Sequence, residues 1–197
     1  MKVQPNQLYH IYNQGNNREV IFYDREDYLQ FLMIYRKYVF KIADTICYCL
    51  MPNHFHFLIN ANTLSAKVIR LGPIESTELG NAFRLLCSGY ANYFNKKYQR
   101  SGSLFRQKTK SKSLEVTNDI NYPFICFQYI HQNPMKAGIC SKMEDWEFSS
   151  FRDYLGVRKG TLCNTQLAFD FIEIEKNRFY EQSVQSIPDY QIVNLFE

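Results

Sequence analysis

The chain of 197 residues has the length of one domain, or of one domain with an appendage. Hydrophobic residues make up 46% and charged residues 21%, which excludes disorder, collagen-like repeats and a disulfide-stapled miniature. No run of about 18 apolar residues exists, and Met1 to Asn6 lacks an apolar signal core, so a cytoplasmic protein without a membrane span is expected. The formal charge of +4 is mild, but its distribution is uneven. From Leu79 to Leu114 there are eight basic residues and no acidic one, whereas Glu144 to Glu197 holds ten acidic residues against five basic. Six cysteines lack C-x-x-C spacing, so a zinc site or redox pair is not indicated, and inert buried thiols are expected.

In chain order, Leu8 to Asn13 alternates as a strand and is stopped by Gly15-Asn16-Asn17. Asp24 caps a predicted helix over 25–41, with Tyr28, Phe31, Leu32, Tyr35, Tyr38 and Val39 at helical spacing. Ile46 to Leu50 and His54 to Ile59 read as strands joined through Met51-Pro52-Asn53, an antiparallel hairpin. Thr63 to Thr77 reads as a loop with at most a short helix. Leu79 to Tyr98 is a long helix ended by Ser101-Gly102-Ser103, and Lys108 to Val116 a fourth strand. Asn118 or Asp119 then caps a helix running to Asn133, where Pro134 stops it; Pro123 fits its first turn. Beyond Gly138 the chain is less regular: Ser149 to Leu155 reads as a short helix, and Leu167 to Glu175 and Ile192 to Phe196 as short apolar segments.

This order predicts an α+β fold: a ferredoxin-like (RRM-like) βαββαβ antiparallel sheet with one added helix that bears Tyr129. The predicted division is a domain over 1–155 and an acidic appendage over 156–197, packed on the core or on a partner and dispensable for chemistry. Fold alone does not assign function.

Three features carry chemistry. His54-Phe55-His56 lies in a strand, so both imidazoles project from one face, roughly 6–7 Å apart at Cα. They can converge on one divalent cation with a third ligand from elsewhere, although H-x-H also suits two ordinary strand histidines. In Gln128-Tyr129-Ile130-His131-Gln132-Asn133-Pro134, Tyr129 and Asn133 are four apart and share a helix face, while His131 points elsewhere. Such a pair suits a nucleophile beside a metal ligand; a ring packed on the sheet and a polar residue at the helix end is the alternative. Gln132 is a second choice of ligand, and Tyr122, two turns earlier, a second tyrosine near that face. The basic window interleaves Arg84, Lys96, Lys97, Arg100, Arg106, Lys108, Lys110 and Lys112 with Phe83, Tyr90, Tyr93, Phe94, Tyr98 and Phe105. Cations for phosphates and rings for bases are what a single-strand groove uses; a solvated helix face is the competing explanation.

Four blocks occur in order: Tyr9-His10-Ile11-Tyr12-Asn13-Gln14-Gly15-Asn16-Asn17-Arg18, Cys49 to Ile59, Ser101-Gly102-Ser103-Leu104-Phe105, and Tyr129 to Gly138. With Trp146-Glu147-Phe148-Ser149-Ser150 they resemble the HUH-type single-tyrosine transposases, most closely the REP-associated branch, over Leu8 to Leu155. The sequence departs from that pattern at Gln14, where many members carry arginine. The resemblance implies a DNA transposase or domesticated relative that binds hairpin DNA and cleaves single-stranded DNA through a 5′-phosphotyrosine. It implies Tyr129 as nucleophile and His54, His56 and Asn133 as ligands of Mg²⁺ or Mn²⁺. Asn13 and Arg18 join the basic window as expected DNA contacts, and a monomer or homodimer is expected. Two rivals stand beside this reading: a non-catalytic nucleic-acid-binding module on an RRM-like fold, and an HUH replication or relaxase-type nuclease.

Overall fold

The computed structural model describes residues 1–117, 120–172 and 174–196. Strand β1 (Gln7–Gln14) leads through a single turn at Asn16–Arg18 into helix α1 (Arg25–Tyr38), then the hairpin β2 (Asp44–Met51) and β3 (His54–Ala61). After α2 (Thr63–Ala66) come β4 (Val68–Leu71) and β5 (Ile74–Thr77), the long α3 (Glu78–Lys97) and β6 (Lys110–Leu114). The short β7 (Val116–Thr117) and β8 (Ile120–Asn121) precede α4 (Tyr122–Lys136). The remainder folds as α5 (Phe151–Tyr154), α6 (Thr165–Phe171), α7 (Phe179–Ser183) and α8 (Asp189–Val193).

The main sheet has four antiparallel strands in the order β2-β3-β1-β6. Helix and antiparallel strand are mixed as an α+β fold predicts. Period-two alternation sends Tyr9, Ile11, Tyr48, Leu50, Phe55, Phe57 and Ile59 to one face, where α1 and α3 cover them. The same alternation sends Leu8, Cys49, Met51, Leu58 and Leu114 to the other face, under α4 and the carboxyl-terminal segments. A register shift between Thr45 and Cys47 lets adjacent Ile46 and Cys47 both join that second cluster.

The start of α1 is fixed by a capping box: Asp24 accepts from the Asp27 N–H, and Asp27 reaches back to the Asp24 N–H. Gly15 is required by space, since a Cβ there would stand 2.1 Å from the Glu19 carbonyl oxygen. That tight passage folds residues 16–21 onto the Pro52-Asn53 turn, directly before His54.

Three sequence expectations change. The 63–77 loop contains a hairpin, turned by Gly72 at φ +61° and Pro73. Its four-residue strands expose most side chains and so lack the alternation that marks a half-buried strand. Helix α4 begins after the cap Asn121, whose side chain accepts from the Phe124 N–H; the expected caps Asn118 and Asp119 lie outside the described residues. It also continues past Pro134 to Lys136, because a proline so close to the end forfeits only one helical hydrogen bond. Gly138, at φ +69°, then closes it by donating to the Met135 carbonyl. Among the described residues no helix is long and apolar enough to cross a membrane.

Candidate functional site

The second sheet face carries three histidines. In the β1–β3 register Tyr12 lies opposite His56 and Gln14 opposite His54, while His10 is one step along β1 on the same face. The rings converge: His54 and His56 centroids are 4.9 Å apart, and His10 and His56 are 5.1 Å apart. Helix α4 lays Ile125, Cys126, Phe127 and Ile130 on the apolar part of this face, which leaves Tyr129 over the histidines. Its ring centroid is 5.5 Å from His56 and 6.3 Å from His10.

Burial lowers the pKa of His10 to about 4, opposed by its bond to the Leu195 carbonyl. Burial lowers His54 to about 4 as well, opposed by Asn133, and drives His56 well down with help from its two histidine neighbours. The three imidazoles are therefore neutral at pH 7; both nitrogens of His10 are engaged by the Leu195 carbonyl and His56, so His54 and His56 are the rings with a lone pair to offer a cation. Tyr129 is pushed up by burial, and Asn133 opposes that shift too. Asn133 thus acts on both His54 and Tyr129, and the helical spacing brings the expected ligand and nucleophile together.

Among the described residues, no three His, Cys, Asp or Glu side chains are grouped to hold a metal ion. The set His54, His56 and Asn133 instead pairs two imidazoles with an amide. Its donor chemistry fits a divalent cation, and His56 Nε2 is a buried nitrogen with no hydrogen-bond partner. Gln132 is not free for that role, since its amide donates to the carbonyls of Ser183 and Gln185. Tyr122 accepts from Asn194 Nδ2 at 2.8 Å. His131 faces away from the site, with Nε2 2.8 Å from Ser150 Oγ.

The carboxyl-terminal residues reach this face. Phe196 stands 5.0 Å from Tyr12, 5.3 Å from His10 and 5.4 Å from Tyr129, and Leu195 is fully buried. Ile172, Ile174, Phe179 and Ile187 complete the packing on α4.

The expected DNA contacts fall into three groups. Arg106, Lys108 and Lys110 are exposed, form no ion pair among the described residues, and line a groove of about 470 Å³ with Tyr12, Asn13 and Gln14. Arg84, exposed on α3 and bonded to Asn81, lines with Arg106 and Lys108 a larger groove of about 910 Å³. Lys110 and Lys112 lie opposite Tyr12 and His10 in the sheet, so they share the histidine face. Lys96 is exposed on α3, and Arg18 is exposed beside the Pro52-Asn53 turn, its carbonyl accepting from Asn53. The remaining three have other partners. Lys97 contacts Asp24, Glu26 and Asp27 within 3.0 Å, and Arg100 meets Glu19 at 3.1 Å. Asn13 is buried and donates to the Arg106 carbonyl and the Thr109 hydroxyl, which pins the loop carrying the free cations.

The cysteines are all free; burial raises the thiol pKa of Cys47, Cys49 and Cys126, as expected of inert thiols.

Sequence reasoning missed His10. Its signal was present, since His10 and Tyr12 alternate onto one face of β1, but only strand pairing reveals that the face is that of His54 and His56.

No protein-family model matches the chain, and no curated protein sequence matches it either. Among solved structures, the chain is similar to a REP-associated tyrosine transposase bound to a REP hairpin, with a TM-score of 0.53 and 16% sequence identity. The likeness covers 79% of this chain and 82% of that one. At this identity the two chains share a fold.

Proposed function

We propose that this protein is a tyrosine-dependent DNA strand transferase, a transposase or domesticated relative that cuts single-stranded DNA beside a hairpin. One observation carries the reading: Tyr129 on α4 stands 5.5 Å from His56, whose neighbour His54 is 4.9 Å from it, with Asn133 about one helical turn after Tyr129 on the same helix face. The sheet order β2-β3-β1-β6 supports a ferredoxin-like arrangement and, with it, the same reading. So does the hairpin held by the structural neighbour.

His54, His56 and Asn133 would hold Mg²⁺ or Mn²⁺, which would offset the charge of the scissile phosphate and favour the phenolate. The chain supplies the rest. Tyr129 Oη gives up its proton and forms a bond to phosphorus, the bond from phosphorus to the 3′ oxygen breaks, and that oxygen takes up the proton released by Tyr129 to become a free 3′-OH. The phosphotyrosine conserves the ester energy, so a second DNA 3′-OH can reverse the step without ATP. Arg106, Lys108 and Lys110, which form no ion pair among the described residues, are among the cations available to the backbone.

Incubation with a 5′-extended single strand and Mn²⁺ should leave a covalent adduct that maps to Tyr129 and is absent in Tyr129→Phe. A binding module gives no adduct with either protein, and a water-using nuclease cleaves with both.

A further inference from the structure

The orphaned Nε2 of His56 follows from a chain of hydrogen bonds that starts at the carboxyl terminus. The Leu195 carbonyl can only accept, and it lies 3.2 Å from His10 Nδ1. His10 Nδ1 therefore carries the proton of the neutral ring, and His10 Nε2 is left as an acceptor. His56 Nδ1 stands 2.9 Å from that nitrogen, so it must donate. One proton per neutral imidazole then leaves His56 Nε2 as a bare lone pair, the buried atom without a partner. The opposite polarity would set the His10 Nδ1 lone pair against the carbonyl lone pairs of Leu195.

The neighbouring ring is fixed in the same sense by a different residue. Asn53 Nδ2 donates to the Arg18 carbonyl, which orients the amide so that Oδ1 meets His54 Nδ1 at 2.6 Å. An acceptor oxygen there requires His54 Nδ1–H, and its Nε2 is bare as well. His10 is itself fully buried, with both nitrogens occupied by this relay.

We propose that His10 is a positioning residue, which locks His56 as its Nδ1–H tautomer and so holds Nε2 ready for the divalent cation of the strand-transfer site proposed above. Asn53 does the same for His54. Partners of this kind fix ring orientation and ligand basicity, and losing one typically weakens metal binding about 10–100-fold.

The chain has four histidines, so long-range proton–nitrogen NMR of the metal-free protein resolves the question ring by ring. His10, His54 and His56 should each show a protonated Nδ1 and a bare Nε2. His131 is a built-in contrast: Ser150 Oγ donates to the Tyr48 carbonyl and so accepts from His131, which requires Nε2–H. A protonated Nε2 on His56 overturns the proposal. Calorimetric titration with Mn²⁺ alone provides the second readout. His10→Phe removes the acceptor and should raise the Mn²⁺ dissociation constant about 10–100-fold, whereas His10→Gln, which keeps an acceptor oxygen, should bind within a few-fold of the parent. Equal affinities in the two variants overturn it. If His10→Phe does not fold, the spectrum of the parent protein decides. A reversed tautomer with a normal Tyr129 adduct defeats this inference alone. Expected tautomers and Mn²⁺ binding without an adduct defeat the strand-transfer reading alone.

Discussion

The two faces of the sheet are built from the same strands and have opposite characters. Beneath α1 and α3, Phe31, Tyr35, Phe55, Phe57, Phe83 and Tyr90 form a continuous aromatic core with no solvent exposure. Its few polar atoms are paired, as Tyr35 Oη is with Thr45 Oγ1 at 2.6 Å and Tyr90 Oη with the Ile21 carbonyl. Beneath α4 the packing is apolar at one end only. Toward the β2–β3 turn it gives way to His10, His54, His56, Tyr129 and Asn133, where His56 Nε2 and Asn133 Nδ2 are buried without partners. Unpaired buried polar groups cost stability, and the cation site proposed above would account for the one on His56. Alternation along β3 therefore divides the labour residue by residue: Phe55 and Phe57 hold the fold, and His54 and His56 face the proposed site.

The largest contrast comes from one substitution on each face. Phe57 is fully buried and stacks on Tyr35 at 4.3 Å. Phe57→Ala should cost about 3–5 kcal/mol in urea unfolding. Tyr129→Phe keeps the ring and should shift stability by no more than about 1.5 kcal/mol, yet abolish the adduct. Equal destabilisation by both would mean that Tyr129 is a packing residue.

A second contrast lies within α4. Burial among Phe127, Phe151, Tyr154 and Phe179 lowers the pKa of His131 to about 3. Its unfolded value is 6.5, so between these values the unfolded chain binds the extra proton. The contribution is present above pH 6.5 and is lost as pH falls toward 3, by about 1.4 kcal/mol per unit within that window. His131→Phe removes this group, while Ser150 Oγ stays bonded to Tyr48. The urea midpoint of the parent should fall more steeply than that of the variant as pH drops from 6 to 4. Parallel curves would show that His131 titrates as it does in the unfolded chain.

Local pattern made the fold's frame readable. The N-cap at Asp24, the alternation of β1 and the helical spacing in α1 agree with the structure, because each is decided within a few residues. The β4–β5 hairpin escaped notice because its exposed strands leave no apolar trace. The tail was legible only as apolar fragments, since α6, α7 and α8 have seven or fewer residues each and owe their order to docking, α6 on β2 and the other two on α4. Within the site, the H-x-H and Y-x-x-x-N spacings could be read directly, whereas His10 required the strand register. The fate of Lys97 was equally hidden, because its carboxylates lie about seventy residues earlier and meet it only when α1 packs on α3.

That last point divides the basic window and provides the finest test of the comparison. Cations outside ion pairs can release counterions from DNA, whereas one already held by carboxylates gains little by exchange. Replacing Lys108, Lys110 and Lys112 with Gln should lower the log–log salt slope of single-strand binding by about 2, at about 0.7 per phosphate contact. Lys97→Met should leave that slope unchanged. It should instead lower the urea midpoint, because Asp27 is fully buried and loses its cation, keeping only the Tyr93 and Tyr98 hydroxyls and its own helix cap. The groove beside β1 and β6 would then be the DNA surface, and the end of α3 a structural clamp on α1. A reduced slope in Lys97→Met, with stability unchanged, would place DNA on the helical face and erase the distinction between the two sides of the sheet.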